Sequence, residues 1–333
     1  MKNDKRQMTS DKQRILVCPL DWGLGHATRC IPLIYAFLQQ GHDVVLAGSG
    51  PSFRLLQQEF PHLTAVYFES FTLRYSSGKS QVWAVLKSFP RLINRTIQEN
   101  KQLKTIVKQY DITQVLSDNR FGCYHRLVKS IYLTHQVFIK LPSSFRFLEP
   151  LVAWMHRKVM DCYDECWIPD YPSMKESLSG ELSHKKPLPK HAKFIGPLSR
   201  FHGSVDKITK DSLTIAVVSG VEPQRSLFEQ QLLDSLQSVQ SEEVILVQGI
   251  PGQDVKPYMR GKVKVFATMP SDDLKQLLLR AEHIICRSGY SSIMDLHALG
   301  KLSAATFVPT PGQSEQEYLA LYLNAKNLGE NRK

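Results

Sequence analysis

Two side chains in the first half of the sequence have the types and positions needed for proton transfer. His26 follows the turn Gly23-Leu-Gly25, between an apolar segment and a helical pattern. Asp118 follows a second apolar segment, residues 112–116. A neutral imidazole can take a proton from a hydroxyl group, and a nearby carboxylate can orient the ring and stabilise its protonated form. His26 and Asp118 are therefore candidate catalytic residues, and either could be the base.

Each of these features also has a simpler interpretation. His26 could cap or pack at the start of its helix, and Asp118 could cap a helix beginning at Phe121. The Gly23-Leu-Gly25 turn is part of a dinucleotide fingerprint, but it lacks the third glycine. Residues 47–50 (AGSG) also lack the acid that a nicotinamide cofactor would need. The sequence thus argues against a dehydrogenase.

A second group of candidates lies near the C-terminus. Ser288 and Gly289 precede a helical pattern that carries Asp295, and Glu315-Gln316 follow a Val-Pro dipeptide. These residues, with their order and spacing, resemble the donor site of inverting, UDP-sugar-using transferases of the two-domain GT-B fold. They are similar in particular to glycosyltransferase family 28, whose members include the lipid II N-acetylglucosaminyltransferase and the galactolipid synthases.

The resemblance implies a role for each of these residues. Ser288 and Gly289 would face the diphosphate, Asp295 would bind the ribose, and Glu315 with Gln316 would bind the sugar. The chemistry agrees, because amides at a helix start suit phosphate, a carboxylate can bind a diol, and an amide side chain suits sugar hydroxyls. The same comparison adds further candidates for donor binding: Gly23, Gly25, Arg200, Ser219, Gly220 and Arg287.

The sequence departs from the family in three places. The glycine-rich turn of the second half is reduced to Ser219-Gly220, so that contact with the donor is less well supported. The sugar-facing pair is Glu315-Gln316 instead of two glutamines, so the identity of the sugar does not carry over. Relatives continue beyond the position of Asn324 into a helix that crosses to the first domain, and that closure could be shorter or missing here.

Alternating strand-like and helix-like segments run through both halves of the chain, opening at residues 14–18 and 213–218. This alternation is typical of parallel α/β sheets, and 333 residues exceed what one hydrophobic core usually supports. We predict two Rossmann-like domains with parallel sheets facing across a cleft, as in GT-B. Residues 1–198 would bind the acceptor, residues 199–211 would form a linker, and residues 212–333 would bind the donor.

The positive charge of the chain is concentrated in one window. Residues 70–160 contain an excess of 11 basic over acidic side chains, which equals the net charge of the whole chain. Residues 82–110 and 145–160 in this window look helical and amphipathic. A contact with an anionic membrane surface and a solvated basic face both remain open. A nucleic-acid partner is not expected, because no recognition motif is present.

The remaining features place the chain among cytoplasmic proteins. No apolar run is long enough to cross a bilayer, and the first residues lack the apolar core of a secretory signal. The six cysteines are dispersed, which predicts reduced and mostly buried thiols. No Asp-x-Asp metal motif follows a strand, and Asp272-Asp273 is expected to cap a helix. We expect no metal and no cofactor besides the donor substrate.

The sequence therefore predicts an inverting, metal-independent glycosyltransferase. It would move a hexose or N-acetylhexosamine from a UDP-sugar to an acceptor hydroxyl, for which a membrane glycolipid is one option, and it could lie peripherally on the inner face of the membrane. A nucleotide-sugar epimerase shares the fold but needs no acceptor surface. A nucleotide-sugar or polyanion-binding protein without transferase activity is the alternative from a different class.

Overall fold

The computed structural model describes residues 12–69, 81–201, 211–252 and 255–330. In the first half of the described chain, seven strands form one sheet in the order β3-β2-β1-β4-β5-β6-β7, and every neighbouring pair is parallel. The strands are β1 (Arg14–Pro19), β2 (Asp43–Gly48), β3 (Thr64–Tyr67), β4 (Gln114–Asp118), β5 (Lys129–Leu133), β6 (Glu165–Ile168) and β7 (Ala192–Phe194). The helices of this half are α1 (Gly25–Gln39), α2 (Gly50–Glu59), α3 (Gln81–Gln109), α4 (Glu149–Met160) and α5 (Glu181–His184).

The second half contributes six described strands in the order β10-β11-β9-β8-β12-β13, parallel except for β10. They are β8 (Asp211–Val217), β9 (Glu243–Val247), β10 (Tyr258–Arg260), β11 (Val263–Phe266), β12 (Ala281–Arg287) and β13 (Ala305–Val308). The helices are α6 (Gln224–Ser235), α7 (Ser271–Arg280), α8 (Tyr290–Ala298) and α9 (Ser314–Glu330). The predicted α/β fold with two Rossmann-like halves is confirmed.

The central strands are apolar throughout because helices cover both faces of each sheet. In β1, residues 15–18 are all buried, and Ile15 and Leu16 belong to different core clusters. The order in which strands are added to the sheet reverses between β1 and β4 in the first sheet, and between β8 and β12 in the second. Ligands of open parallel sheets bind beyond the carboxyl ends of strands at such points. The fold therefore places the loops after these four strands at the candidate site.

The two halves share a hydrophobic core. Ala27 and Ile31 of α1 belong to the same buried cluster as Ile293 of α8 and Leu319 of α9. α9 therefore packs against the first half. This part of the interface is apolar, so the relative position of the halves does not depend on the linker alone.

A loop after β6 reinforces this interface. The carboxylate of Asp170 is fully buried and accepts hydrogen bonds from the hydroxyls of Ser177, Ser179 and Ser183. The folded loop then meets α9, where the Tyr322 hydroxyl donates to the Ser177 carbonyl at 3.0 Å. Residues 170–183 thus form a structured connection between the halves.

Several predictions about individual elements need correction or remain untested. No helix begins at Phe121, because residues 119–128 form turns and irregular backbone, so Asp118 does not cap a helix there. The segment 145–160 starts with a 3₁₀ turn, Ser143–Leu148, before α4. Residues 202–210 of the predicted linker and 70–80 of the basic window lie outside the described residues. The domain boundaries remain predictions.

Two further observations concern the chain as a whole. In the described part of the structure, no helix combines the length and apolarity that crossing a bilayer requires. All six cysteines are unpaired, and Cys162 is the exposed one.

Candidate active site

The first half of the candidate site lies where β1 and β4 end side by side. Pro19 is in register with Asp118, and the turn after β1 leads into α1, whose second residue is His26. His26 Nδ1 lies 3.1 Å from Asp118 Oδ1. Asp118 is fully buried, whereas 13% of the His26 side chain is exposed. The structure thus brings the two predicted catalytic residues together and leaves the imidazole at the surface of the site.

Arg29 completes this group from the next turn of α1. Its Nε donates to Asp118 Oδ2 at 2.6 Å, and Nη2 contacts the other carboxylate oxygen. Nη2 also lies 2.7 Å from His26 Nδ1, and Nη1 lies 2.9 Å from His135 Nδ1. Arg29 is not among the candidate residues predicted from the sequence. The available signal was its spacing, because residues three apart on a helix share one face.

The electrostatics of the group follow from burial and from the Arg29 charge. Burial lowers the pKa of His26, the Asp118 carboxylate opposes this change, and Arg29 adds to it, so the pKa lies below its ordinary value. Burial alone would raise the pKa of Asp118, but the charges of Arg29 and His26 outweigh it and lower the pKa. At neutral pH the site therefore holds a neutral imidazole beside an ionised carboxylate.

The second half of the chain reaches this group through Glu315. His135, which follows β5, places Nε2 2.7 Å from Glu315 Oε1 in the first turn of α9. The His135 ring also stacks on Tyr290, with centroids 4.3 Å apart. Burial would raise the pKa of Glu315, but His135 and then Arg29 lower it below the ordinary value. The carboxylate predicted to bind the sugar thus contacts the first half, and its role in sugar binding remains a prediction.

The start of α8 is the predicted phosphate site. Gly289 precedes the first helical residue, and a Cβ added there would meet no atom within 4 Å, so space is open beside it. The Ser288 hydroxyl donates to the Gln316 carbonyl at 2.8 Å, which leaves the helix start with its backbone amides as the groups suited to phosphate. The Gln316 side chain accepts from the Thr310 amide and donates to Gln313, and so it holds the turn after β13.

Asp295 and Arg200 contact each other in this structure. Asp295 is buried on α8 and accepts hydrogen bonds from the Ser199 hydroxyl at 2.8 Å and the Arg200 amide at 3.2 Å. Arg200 Nε lies 3.3 Å from the other carboxylate oxygen. Burial raises the pKa of Asp295, and the charge of Arg200 opposes this change. Ribose binding by Asp295 and phosphate binding by Arg200 remain predictions, and each would require these contacts to change.

Arg287 is held within the second half of the chain. Its guanidinium lies 3.7 Å from the centre of the Phe228 ring and donates to the Pro309 carbonyl at 3.0 Å. Burial lowers its pKa to about 10. Ser219 and Gly220 lie in the turn between β8 and α6, where Gly220 has a φ of 117°. That backbone conformation favours glycine and keeps the turn free of a side chain.

Gly23 and Gly25 each occupy a position that favours glycine, for different reasons. Gly23 has a φ of 81°, a left-handed conformation, and its carbonyl accepts a hydrogen bond from the Ser52 hydroxyl. A Cβ on Gly25 would clash with the Ser291 hydroxyl of α8. Glycine at position 25 therefore allows the starts of α1 and α8 to face each other directly.

A cavity lies on the first half of the chain, lined by the loop after β4 but not by Asp118 or His26 themselves. It has a volume of about 130 Å³ and lies between α3 and the ends of β1 and β4. Trp22, Leu92 and Phe121 supply apolar walls, and Asn119, directly after Asp118, supplies a polar group. Arg120 is buried beneath it, donates to Glu99 at 2.7 Å and so holds the loop after β4.

Comparison with known proteins agrees with this arrangement. Residues 214–333 match the family model described as the glycosyltransferase family 28 C-terminal domain. The chain is a glycosyltransferase of the GT-B type. It is 22% identical to an uncharacterized glycosyltransferase of Methanosarcina acetivorans, over 95% of this chain and 84% of that protein. A second uncharacterized glycosyltransferase, from Methanosarcina mazei, is also 22% identical, with the same coverage.

Solved structures of glycosyltransferases share the fold of this transferase at low identity. The calicheamicin glycosyltransferase CalG4 superposes with a TM-score of 0.54 and 10% identity, over 94% of this chain and 83% of that one. Acinetobacter baumannii MurG gives 0.50 and 11%, over 95% and 83%. The spinosyn rhamnosyltransferase SpnG complexed with thymidine diphosphate gives 0.53 and 14%, over 95% and 92%. The predicted resemblance to family 28 and the GT-B fold is confirmed.

The described residues of the transferase contain no group of three or more His, Cys, Asp or Glu side chains arranged to hold a metal ion. Asp272 and Asp273 lie in the first turn of α7, but the predicted capping by them is wrong, because Pro270 holds the N-cap position and no side chain caps the helix. There they complement the partial positive charge of the helix start.

Proposed function

We propose that this glycosyltransferase is inverting and metal-independent, and that it moves a hexose or N-acetylhexosamine from a UDP-sugar to an acceptor hydroxyl. The observation that carries the proposal is the 3.1 Å contact between His26 and Asp118. This contact lies on the half of the chain that holds the cavity, and the start of α8 faces it from the other half. A single displacement reaction needs a base on one side of the reacting carbon and a phosphate-binding helix start on the other side.

The proposed chemistry is a single displacement at the anomeric carbon. The acceptor oxygen attacks from the face opposite the diphosphate, its proton passes to His26, and the bond between the anomeric carbon and the phosphate oxygen breaks. The electron pair of that bond leaves with UDP. The backbone amides at the start of α8 stabilise the developing charge on the diphosphate, which removes the requirement for a metal ion.

The donor assignment has two sources. The similar structure of SpnG is complexed with thymidine diphosphate, which supports a nucleotide-sugar donor for this chain as well. The choice of uridine rests on the resemblance to family 28. Glu315 is an acid where relatives have an amide, and an acidic sugar such as glucuronate would be repelled by it, so we propose a neutral sugar.

We propose that the acceptor binds in the cavity lined by the loop that follows Asp118. The apolar walls at Trp22, Leu92 and Phe121 suit an acceptor that has an apolar portion, and Asn119 can bind a hydroxyl. A membrane glycolipid meets this description.

A contact with an anionic membrane surface is part of the same proposal. Phe147, Leu151 and Trp154 are 75%, 53% and 57% exposed, and their spacing puts them on one face of the segment that leads into and through α4. Arg146 and Lys158 are exposed beside them. Aromatic and aliphatic side chains next to basic groups suit the interface of an anionic bilayer.

The test of the donor assignment is a thermal-shift panel with UDP, UDP-glucose, UDP-galactose, UDP-N-acetylglucosamine, GDP-mannose and NAD, each with and without EDTA. A ligand that binds the folded state raises the unfolding midpoint by mass action. We expect a rise with UDP compounds that EDTA does not change and that Asp295→Ala removes. A rise with NAD alone, or with no compound, would refute the donor assignment.

A transfer assay with the best donor follows. It uses membrane glycolipids as acceptors and measures released UDP and the anomeric configuration of the product. Inverted configuration supports the mechanism, and retention contradicts it. Binding of UDP-sugars without release of UDP across the acceptor series would favour the alternative, a nucleotide-sugar-binding protein without transferase activity.

A further inference from the structure

Arg29 is the centre of the buried polar group around Asp118. Its guanidinium contacts both oxygens of Asp118, Nδ1 of His26 and Nδ1 of His135. Only 3% of Arg29 is exposed. A guanidinium donates hydrogen bonds and never accepts them, and its planar fork fits a carboxylate in one orientation. The orientation of the Asp118 carboxylate is therefore set by Arg29 as much as by β4.

The charges around His26 oppose one another. Arg29, on the same helix, repels a proton on the imidazole, and Asp118, at the end of β4, attracts it. His135, which follows β5, adds a weaker repulsion when it is protonated. Glu315 on α9 contacts the opposite ring nitrogen of His135 and is ionised. The contact with Asp118 is therefore not an isolated pair, because Arg29 opposes the effect of the carboxylate charge that favours a protonated imidazole.

Arg29 also affects which imidazole nitrogen carries the hydrogen. His26 Nδ1 lies 3.1 Å from Asp118 Oδ1 and 2.7 Å from Arg29 Nη2. If Nδ1 donates to Asp118, the lone pair of Nε2 is available to take a proton. If Nδ1 accepts from Arg29, Nε2 carries the hydrogen and cannot act as a base. Nη2 also donates to Asp118 Oδ1, so a guanidinium held on the carboxylate leaves Nδ1 free to donate and favours the active tautomer, whereas one turned onto Nδ1 favours the inactive tautomer.

We propose that Arg29 is a positioning residue for the transfer reaction, which holds the Asp118 carboxylate ionised and oriented so that His26 remains a neutral base. The inference rests on the proposed function, in which His26 takes the acceptor proton. It extends that function because neither Asp118 nor His26 alone has the geometry and charge that the reaction requires.

The test is an NMR titration of the histidine side chains in the free protein, with the His26 signal assigned through its loss in His26→Gln. In Arg29→Gln we expect the proton affinity of His26 to rise about ten-fold or more, since Arg29 no longer opposes the attraction of the proton by Asp118. Arg29→Lys keeps the positive charge but loses the planar guanidinium that binds both oxygens of the Asp118 carboxylate. In this variant we expect His26 to titrate as it does in the native protein. We expect kcat to fall at least about ten-fold and donor affinity to stay unchanged.

Arg200→Gln is the matched control, because Arg200 also pairs with a buried carboxylate but does not contact His26. It should leave the His26 titration unchanged. An unchanged His26 titration in a folded Arg29→Gln protein would overturn the inference. If Arg29→Gln does not fold, Arg29→Lys decides, and an unaltered kcat would overturn the inference. Absence of transfer by the native protein would instead refute the proposed function, while the titration would still report on Arg29.

Discussion

His135 Nε2 and Glu315 Oε1 lie 2.7 Å apart although 180 residues separate them in the chain. His135 belongs to the half that carries the candidate base, and Glu315 to the half that is predicted to bind the donor. Arg29 contacts His135 on its other ring nitrogen. A continuous line of hydrogen-bonding groups therefore runs from the predicted sugar-binding position to Asp118 and His26.

The first prediction concerns the contribution of Glu315 to stability. Glu315→Gln should lower the free energy of unfolding at pH 7 by about 1–2 kcal/mol, because the contact with His135 loses its charge. The pKa of Glu315 is lowered in the folded state, so the effect should be complete above its ordinary pKa and disappear as the pH falls through the lowered value. Chemical denaturation without donor at several pH values measures it. The exposed Glu282→Gln is the control and should change stability little.

The second prediction concerns the two candidate catalytic residues. His26→Gln and Asp118→Asn should each lower kcat about 100-fold or more, because proton transfer from the acceptor is lost or misdirected. Binding of UDP, measured by calorimetry, should change little, since neither side chain lies at the start of α8. Survival of transfer in both variants would show that the base has been assigned incorrectly.

The third prediction is a pH dependence. The base must be unprotonated, and the pKa of His26 lies below its ordinary value of about 6.5. Transfer should therefore keep its full kcat/KM as the pH falls past that value and decline only at lower pH. The measurement is a pH profile of kcat/KM with saturating acceptor. A decline that is already half complete above pH 6.5 would contradict this assignment.

The fourth prediction concerns the loop that forms the cavity. Arg120 is buried and pairs with buried Glu99, so Arg120→Met should destabilise the first half by about 3–5 kcal/mol by leaving an uncompensated carboxylate. All four tryptophans precede residue 168, so their fluorescence during urea unfolding reports on this half. Arg95→Met is the matched control. Its pair with Glu69 is about half exposed and should contribute less than about 1 kcal/mol.

The fifth prediction tests the membrane contact. Trp154→Ala and Leu151→Ala should each weaken sedimentation with phosphatidylglycerol vesicles about ten-fold, because each removes an apolar side chain from the bilayer interface. Leu321→Ala is the control, since Leu321 is 72% exposed on α9 in the other half. Equal loss in the control, or equal binding to uncharged vesicles, would refute a specific anionic contact through α4.

The fold could largely be predicted from the sequence because its central strands are apolar runs followed by glycine-containing turns. Three strands, β3, β5 and β10, were not predicted, although β5 is buried like its neighbours in the sheet. β3 and β10 are short edge strands whose residues are mostly exposed, so they lack the apolar pattern that marks a buried strand. The helix expected at Phe121 does not form, because Asn119 adopts a left-handed conformation and Arg120 anchors the following loop through Glu99.

The site was predictable only where it follows from topology. His26 and Asp118 could be paired because both follow parallel strands whose ends meet at one edge. The sequence does not reveal that Arg29 points at Asp118, because that depends on the rotation of α1 against the sheet. The contact between His135 and Glu315 depends on how the two halves pack, and no local pattern encodes that packing.

The loop that Asp170 organises has a consequence for how the protein could be divided. The Ser177 carbonyl of this loop accepts a hydrogen bond from Tyr322, and α8 and α9 share a hydrophobic core with α1. The halves are therefore held together by noncovalent contacts as well as by the covalent chain. Two separately expressed polypeptides, one ending at residue 201 and one starting at residue 211, should consequently associate when they are mixed. Any activity would then require both polypeptides, which suits the protein to use as a split reporter.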